Sequence, residues 1–172
     1  MTGHADRVWN AVNQPGAHAE HVLSWRRCVR VHGLAPERRG ERARLDARGL
    51  RAAREATAGL LTAAGQHLDR LSRVFVRTGC AVALSDAQGV VLERRSSEGD
   101  ARDFGEVGLA EGADWGEAAM GTNGIGTALA EERALTIHRD KHFLPANTAL
   151  SCATTVIQIG RASCRERVCV SV

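Results

Sequence analysis

Apolar residues in the first part of the chain recur at helical spacing and predict one or two short helices in residues 1–45. In the segment "AEHVLSWRRCVRVHGL", the apolar side chains share one helical face: Val22, Trp25, Val29 and Leu34. The basic side chains fall mostly on the opposite face: Arg26, Arg27 and Arg30. We expect this basic face to be solvated. Phosphate contact with nucleic acid is the alternative.

Residues 46–78 carry one continuous apolar stripe, which predicts a single long helix from about Asp46 to Arg77. The members of the stripe recur at spacings of three and four: Leu50, Ala53, Thr57, Leu60, Ala64, Leu68, Leu71 and Phe75. Such a stripe fits a helix packed on the core and a helix paired across a homodimer equally well. Gly59 and Gly65 each lower helix propensity by about 1 kcal/mol relative to alanine, so packing contacts have to compensate.

From Gly79 onward the pattern changes to short apolar runs separated by turn residues. The run "CAVALSDAQGVVLERR" predicts a β-hairpin with its turn at Asp86–Gly89. Residues 96–114 are polar and glycine-rich, and predict a loop with at most a short helix. Further along, "IGTALAEE" predicts a helix, "ALTIHR" and "SCATTVIQI" predict strands, and "HFLPANTAL" predicts a loop with a helical turn. Hairpin strands with helices outside the alternation indicate an α+β fold, an antiparallel sheet with flanking helices.

Composition narrows the functional classes. The 172 residues suffice for one domain with a core, and the net charge of +3 is too small to argue for nucleic-acid binding. Aromatic residues make up 3% of the chain, which disfavours a base-stacking surface. No apolar run approaches the roughly 18 residues of a membrane span, and the N-terminus lacks signal-peptide character, so we expect a cytoplasmic protein without membrane contact. Five cysteines without a CxxC pair indicate a reducing compartment.

The loop "GTNGIGT", residues 121–127, has the appearance of a phosphate-binding loop but lacks its chemistry. Gly121 and Gly126 have the spacing of a P-loop, yet Thr127 stands where the phosphate-binding lysine is required. The third glycine of a dinucleotide-binding fingerprint is replaced by Leu129. We therefore expect no nucleotide and no cofactor. Thr122 or Asn123 is expected to cap a helix that begins near Ile125.

His138, His142 and Cys152 are candidates for chemistry. The histidines lie four residues apart, but no H-E-x-x-H motif is present, so we expect pocket-rim or loop-stabilising roles and no metal. Metal or haem ligation is the alternative. Cys152 begins an apolar strand and is expected to be an inert core thiol, with a catalytic thiol or a redox sensor as alternatives. Trp115 fits a pocket wall and a core plug equally, and Asp114 is expected to cap a helix at 115–120.

The run "GADWGEAAMGTNGIGTALAEERALTIHRDKHFLPANTALSC" resembles the N-terminal GAF-type sensor region of acetoin-catabolism-type, sigma-54-dependent (Fis-family) transcriptional activators. The matching elements are Gly112–Trp115, the loop Gly121–Thr127, "HRDKHF" at 138–143 and "LSC" at 150–152. "SWRRC" at 24–28, followed by "GLAP", resembles the segment that precedes the GAF domain in that family. The resemblance covers roughly Val22 to Thr155.

This resemblance implies a GAF-like domain at 79–158 that binds a small-molecule effector, in a regulatory protein that is not an enzyme. The effector is expected between the sheet and the loops at 105–127 and 138–152. The candidate ligand-binding residues are Trp115, Thr122, Asn123, Thr127, His138, His142 and Cys152. In such activators, DNA and RNA polymerase are engaged through an ATPase and a helix-turn-helix region, which we expect to be absent from this chain. A cysteine-dependent reductase or thiol redox sensor and a purely structural dimerisation module are the alternatives.

Residues 159–172 depart from the family pattern. The segment "IGRASCRERV" at 159–168 is also the translation of a common sequencing-adaptor sequence, so we expect this tail to be non-native and the domain to be truncated before its sheet closes. A genuine basic tail that binds metal or nucleic acid is the alternative, although Cys164 and Cys169 have poor zinc spacing. The alternating "VCVSV" is nevertheless able to occupy a strand position.

Overall fold

A computed structural model describes residues 3–38, 43–75, 78–159 and 166–171 of the chain. Two helices, α1 (His4–Asn13) and α2 (Glu20–Arg30), form the N-terminal segment, as the sequence predicts. Trp25 and Cys28 of α2 are buried together with Val8 and Val12 of α1. The two helices therefore belong to the core and are not an independent appendage.

The basic face of α2 is not simply solvated, which corrects the sequence-based expectation. The Arg26 guanidinium donates hydrogen bonds to backbone carbonyls around the α1–α2 turn: Val12 (3.2 Å), Ala17 (2.8 Å) and Gln14 (2.6 Å). Arg27 forms an ion pair with the buried Glu117. Of the three arginines, Arg30 is the exposed one. The positive charges of Arg26 and Arg27 are thus used within the fold.

The apolar stripe of residues 46–78 forms two helices, α3 (Ala47–Ala56) and α4 (Ala58–Phe75), and the prediction of a single helix is wrong at Thr57. Thr57 leaves helical geometry at φ −112° and ψ 19°, and its hydroxyl donates to the carbonyl of Ala53 at 2.8 Å. This local bond competes with the helical ladder and bends helices. The predicted start is confirmed, because the Asp46 side chain accepts from the Gly49 amide at 2.7 Å.

Five antiparallel strands form the sheet, in the order β2-β1-β5-β4-β3. Their bounds are β1 Val82–Ser85, β2 Val91–Arg95, β3 Leu135–His138, β4 Ser151–Ile159 and β5 Glu166–Ser171. The predicted hairpin is present, and the Asp86 side chain fixes its turn by accepting from the amides of Gln88 and Val90, both at 2.9 Å. The expected α+β fold with an antiparallel sheet and flanking helices is therefore confirmed.

Three further helices lie between β2 and β3: α5 (Glu98–Glu106), α6 (Glu117–Met120) and α7 (Gly124–Glu131). Helix α5 has 9 residues and is longer than the short helix that the sequence predicts within residues 96–114. Ser97 caps it by accepting from the Asp100 amide at 3.0 Å, and this Ser-x-x-Asp spacing is a start signal that the glycine content obscures. None of the helices in the described part of the chain is long and apolar enough to cross a membrane.

The two faces of the sheet are covered by different layers. Val82, Leu84 and Leu92 pack under α4, against Leu60, Ala64 and Leu68. Ala81, Ala83 and Val91 face the opposite layer, whose core contains Trp25, Trp115, Ile125 and Phe143. The alternation of side chains along β1 distributes its residues between these two cores. The apolar stripe of α4 is consequently used within the chain.

Strand β5 lies in the middle of the sheet, between β1 and β4. It is formed by residues that the sequence analysis assigns to a non-native tail. That assignment stays a prediction, because an alternating segment pairs through its backbone whatever its origin.

Truncation of Leu68 tests the packing of α4. The Leu68 side chain is 2% exposed, so Leu68→Ala is expected to lower the free energy of unfolding by about 2–4 kcal/mol. Val74 on the same helix is 67% exposed, and Val74→Ala is expected to change it by less than about 0.5 kcal/mol. Denaturant unfolding of both variants gives the comparison. Equal effects would contradict the packing of α4 on the sheet.

Candidate functional site

The loop Gly121–Thr127 is a helix cap. The Asn123 side chain accepts from the Gly126 amide at 2.9 Å, which confirms the predicted cap and assigns it to Asn123. Its amide nitrogen also donates to the carbonyls of Trp115 (3.0 Å) and Gly121 (2.8 Å). Asn123 is fully buried, so one side chain ties the start of α7 to the segment that carries Trp115.

Two glycines of this loop allow close packing. Gly121 has φ +66°, and a Cβ there would lie 2.5 Å from the Phe143 ring. A Cβ at Gly126 would overlap the backbone of Gly116 and Glu117. Any side chain at either position therefore forces the loop away from its neighbours.

Glu117 is the centre of a buried polar network beneath the loop. Its side chain is 3% exposed and pairs with Arg27, whose Nε donates to Oε2 and whose Nη2 donates to Oε1 at 2.8 Å. The hydroxyls of Ser24 (2.5 Å) and Thr127 (3.0 Å) donate to Oε1. Hydrogen bonding to Glu117 raises the pKa of the Arg27 guanidinium, which therefore stays charged.

A chain of hydroxyl and thiol groups extends the network. Because Ser24 gives its proton to Glu117, Thr122 donates to Ser24 Oγ at 2.6 Å. The thiol of Cys28 in turn lies 3.5 Å from Thr122 Oγ1. Sequence resemblance identifies "SWRRC" and the glycine-rich loop separately, whereas the structure shows that they bind each other. The predicted site does not include Ser24, Arg27 or Glu117. An acidic residue between "DWG" and the apolar "AAM" is the sequence signal that indicates a buried carboxylate at Glu117.

A cavity of about 360 Å³ lies where the sequence analysis expects an effector. Its apolar wall is formed by Ala81, Phe104, Leu109, Trp115, Ile125 and Leu150. Polar groups enter from Thr78, Cys80, Ser151 and Cys152, and Arg139 lies at its edge. Trp115 combines both predicted roles, because it lines the cavity, is 2% exposed and donates from its indole to the Gly108 carbonyl at 2.9 Å.

The predicted site residues separate into distinct places. Trp115 and Cys152 line the cavity. Asn123 and Thr122 are buried in the cap and network described above, and Thr127 also borders a much smaller pocket of about 50 Å³. A ligand-binding role stays a prediction for all of the candidate residues, including the two that line the cavity. His138 is exposed and shares a hydrogen bond with Ser151 at 2.7 Å.

His142 and Cys152 form a thiol–imidazole pair. The His142 ring is fully buried, with Nδ1 at 2.9 Å from the Arg139 carbonyl and Nε2 at 3.6 Å from Cys152 Sγ. Burial lowers the pKa of His142, so the ring is neutral near pH 7. A carbonyl only accepts, which makes Nδ1 the donor and leaves Nε2 as an acceptor for the Cys152 thiol.

Arg139 holds this pair in position through its backbone. It adopts φ +42°, a left-handed conformation that is uncommon for a residue with a Cβ. Its amide donates to the Leu150 carbonyl at 2.9 Å and its carbonyl accepts from His142. Asp114 does not cap α6 as expected. Its side chain accepts from the amide of Gly116, which occupies the cap position.

An antiparallel sheet with helices on both faces and a cavity beside the glycine-rich loop are the features of a GAF-like sensor-type domain. The chain belongs to the family described as "MimR, N-terminal domain", whose model matches residues 6–169. It is 36% identical over 129 residues to the acetoin catabolism regulatory protein of Cupriavidus necator, covering 75% of this chain and 19% of the relative. It is 33% identical over 147 residues to the propane 2-monooxygenase operon transcriptional activator MimR of Mycolicibacterium smegmatis, covering 84% of this chain and 24% of the relative.

Among solved structures, the chain is similar to one described as the Escherichia coli DhaR(N)-DhaL complex, with a TM-score of 0.79. The match covers 88% of this chain and 51% of that chain at 16% identity, and it shows a shared fold. The chain spans about a fifth to a quarter of the length of the two curated relatives. Both relatives are named as regulators of transcription, and the matched family is described as the N-terminal domain of one such regulator.

Neutralising Glu117 tests the network. Glu117→Gln leaves Arg27 without its buried counter-ion and is expected to lower the free energy of unfolding by about 2–4 kcal/mol. The control is Glu131→Gln, because Glu131 lies 3.4 Å from the same Arg27 but is partly exposed. Glu131→Gln is expected to lower the free energy of unfolding by less than about 1 kcal/mol. Denaturant unfolding measures both variants, and a Glu117→Gln protein as stable as the parent would refute a stabilising role for the network.

The buried His142 predicts a pH dependence of stability. Its pKa is lowered from 6.5 in the folded state, so the unfolded chain binds the additional proton as the pH falls below 6.5, and stability decreases. Asparagine retains a donor to the Arg139 carbonyl, so His142→Asn is expected to show a flatter pH dependence. Unfolding midpoints between pH 5 and pH 8 measure the difference. Parallel pH profiles for the two proteins would exclude His142 as the cause, leaving His21, whose pKa is also lowered by burial.

Proposed function

We propose that this domain senses a small organic molecule that binds in the 360 Å³ cavity, and that occupancy controls a transcriptional activator. This proposal rests on the size and the lining of the cavity. Its volume falls within the range of about 300–1,000 Å³ that small-molecule sites occupy, and its wall is mainly apolar with a few polar groups. An uncharged effector of mixed apolar and polar character suits this lining best.

Trp115 connects the cavity to the buried Glu117 network and so offers a path by which ligand binding affects the rest of the domain. It lines the cavity, its carbonyl accepts from Asn123, and Glu117 follows it by two residues. A ligand that displaces Trp115 therefore acts on the network that holds α2. We also propose that the signal reaches α4, which packs on the other face of the same sheet.

We further propose that the domain operates within a sigma-54-dependent, Fis-family activator in the cytoplasm. In that protein, an ATPase and a DNA-binding region outside this chain would engage RNA polymerase and DNA. A homodimer is part of the proposal. Because Leu60, Ala64 and Leu68 are buried against the sheet, such a dimer would use a helical surface other than this stripe.

A thiol redox sensor is the second candidate, and the contact between Cys152 and His142 favours it. A base beside a thiol is the arrangement that activates cysteine. The regulatory relatives give no support to the related alternative, a cysteine-dependent reductase.

Filling the cavity tests ligand sensing. Ala81 lines the cavity and is 5% exposed, so Ala81→Phe is expected to occupy space that a ligand needs. Small uncharged alcohols, ketones and esters are screened by thermal shift. A ligand present at 100 times its Kd stabilises the parent protein by about 2.7 kcal/mol. In Ala81→Phe, this stabilisation is expected to be smaller by at least about 1.4 kcal/mol, which corresponds to a tenfold loss of affinity.

Ala87→Phe is the control, because Ala87 is exposed in the β1–β2 turn and does not line the cavity. It is expected to keep the full ligand-induced shift. A ligand that stabilises the Ala81→Phe protein as strongly as the parent binds elsewhere, and that outcome would refute the cavity as the sensing site.

A further inference from the structure

We propose that Cys152 is a covalent attachment site, at which the thiol adds reversibly to the carbonyl carbon of a small aldehyde or ketone in the cavity, with His142 as its base. This inference rests on the proposed function, since it requires that the cavity admits a small molecule. It goes further in assigning a chemical class to the ligand and a bond to the thiol.

Position separates Cys152 from the other thiols of the described residues. Cys80 lines the same cavity, but its sulfur lies 3.8 Å from the Thr78 carbonyl, which cannot accept a proton in a reaction. Cys28 is buried in the Glu117 network, and burial raises the pKa of its thiol to about 11. Within the described part of the chain, Cys152 is the thiol that combines cavity access with an adjacent imidazole.

The surroundings of His142 fix its orientation as a base. The Arg139 carbonyl holds Nδ1–H, so Nε2 presents its lone pair to Cys152. The His142 carbonyl shares a hydrogen bond of 2.9 Å with His4 Nε2, which anchors α1 to the same turn. A nucleophile, a base and a group that orients the base are the parts that covalent catalysis by cysteine uses.

The neutral imidazole suits addition to a carbonyl. The S–H bond breaks, the proton passes from Sγ to His142 Nε2, and a C–S bond forms at the carbonyl carbon. The carbonyl oxygen then receives the proton from Nε2, which yields a hemithioacetal with no change in oxidation state. No oxidant or further reactant is needed, and the reverse path releases the ligand and resets the sensor.

A disulfide between Cys152 and Cys80 is a poor alternative. Ala83 of β1 and Thr154 of β4 both pair with Ser171 of β5, so β1 and β4 lie two strand spacings apart, about 9–10 Å. Cys80 precedes Ala83 by three residues and Cys152 precedes Thr154 by two. A disulfide needs Cα atoms about 4.4–6.8 Å apart, so it would require movement of the sheet.

Carbon NMR of the full chain with [1-¹³C]butanal tests the attachment. A protein-bound hemithioacetal signal of the labelled carbon is expected, separate from the signals of free butanal and of its hydrate, and it is expected to disappear on dialysis. Cys152→Ala is expected to abolish this signal, whereas Cys80→Ala is expected to retain it. An imine at Lys141, the single lysine of the chain, keeps a trigonal carbon and is distinguished by its shift. A protein-bound hemithioacetal signal that survives Cys152→Ala would overturn the proposal.

The rate of adduct formation tests His142 as the base. His142→Asn retains the contact to Arg139 but removes the proton acceptor, and is expected to slow the reaction about 10²-fold. The rate for the parent is expected to fall when His142 becomes protonated, at a pH below 6.5, and His142→Asn is expected to lose this dependence. An unchanged rate and pH profile would overturn the role of His142.

Butan-1-ol separates this inference from the proposed function, because it has the same length as butanal and cannot form the adduct. Thermal stabilisation by both compounds without a hemithioacetal signal would overturn covalent attachment and leave cavity sensing intact. Failure of both compounds to bind would overturn covalent attachment and count against cavity sensing of small oxygenated molecules.

Discussion

The ion pair between Glu117 and Arg27 is the interaction on which the arrangement of this domain depends. A buried carboxylate is costly unless charge and hydrogen bonds compensate for the lost water. Here Arg27 supplies the charge, and Ser24 and Thr127 supply hydroxyl donors. These groups come from α2, α6 and α7, so the carboxylate is satisfied only when the three helices are docked together. The N-terminal helices are therefore held against the core of the domain.

This requirement also positions one wall of the cavity. Trp115 and Glu117 lie in one short segment, which Asn123 holds from the side of the loop and Arg27 holds from the side of α2. Gly121 and Gly126 allow the loop to pack directly against Phe143 and this segment. In the loop "GTNGIGT", the glycines serve close packing and Asn123 caps α7. The loop connects Trp115 to the Glu117 network through Asn123, so a displacement of Trp115 also displaces the groups of this network.

Local signals in the sequence were sufficient for much of the fold. The hairpin turn at Asp86–Gly89, a cap at Thr122 or Asn123 and a strand at "ALTIHR" each depend on residues close in sequence, and each was predicted; the structure assigns the cap to Asn123 and the strand to Leu135–His138. The break at Thr57 was missed because the apolar stripe continues through this position without interruption.

Long-range contacts account for the errors at the site. Arg27 looks like a surface residue on a helical wheel, and nothing in the spacing shows that Glu117 lies opposite it, 90 residues along the chain. The pairing of His142 with Cys152 depends in the same way on the turn at Arg139, whose left-handed backbone has no marker such as glycine or asparagine. Motif resemblance found the cavity residues Trp115 and Cys152, while the geometry assigned Thr122 and Asn123 to the structural network.

Strand β1 provides a physical link between the cavity and α4. Ala81, immediately before β1, borders the cavity, while Val82, the first residue of β1, packs under Leu60 and Leu68. A close-packed interior transmits a small displacement instead of absorbing it, because it contains few voids. A ligand that pushes on Ala81 therefore has to move Val82 as well, and α4 is the element resting on it. Cys152 and Trp115 line the same cavity, so a ligand bonded at Cys152 would lie in the space that Trp115 borders, two residues before Glu117.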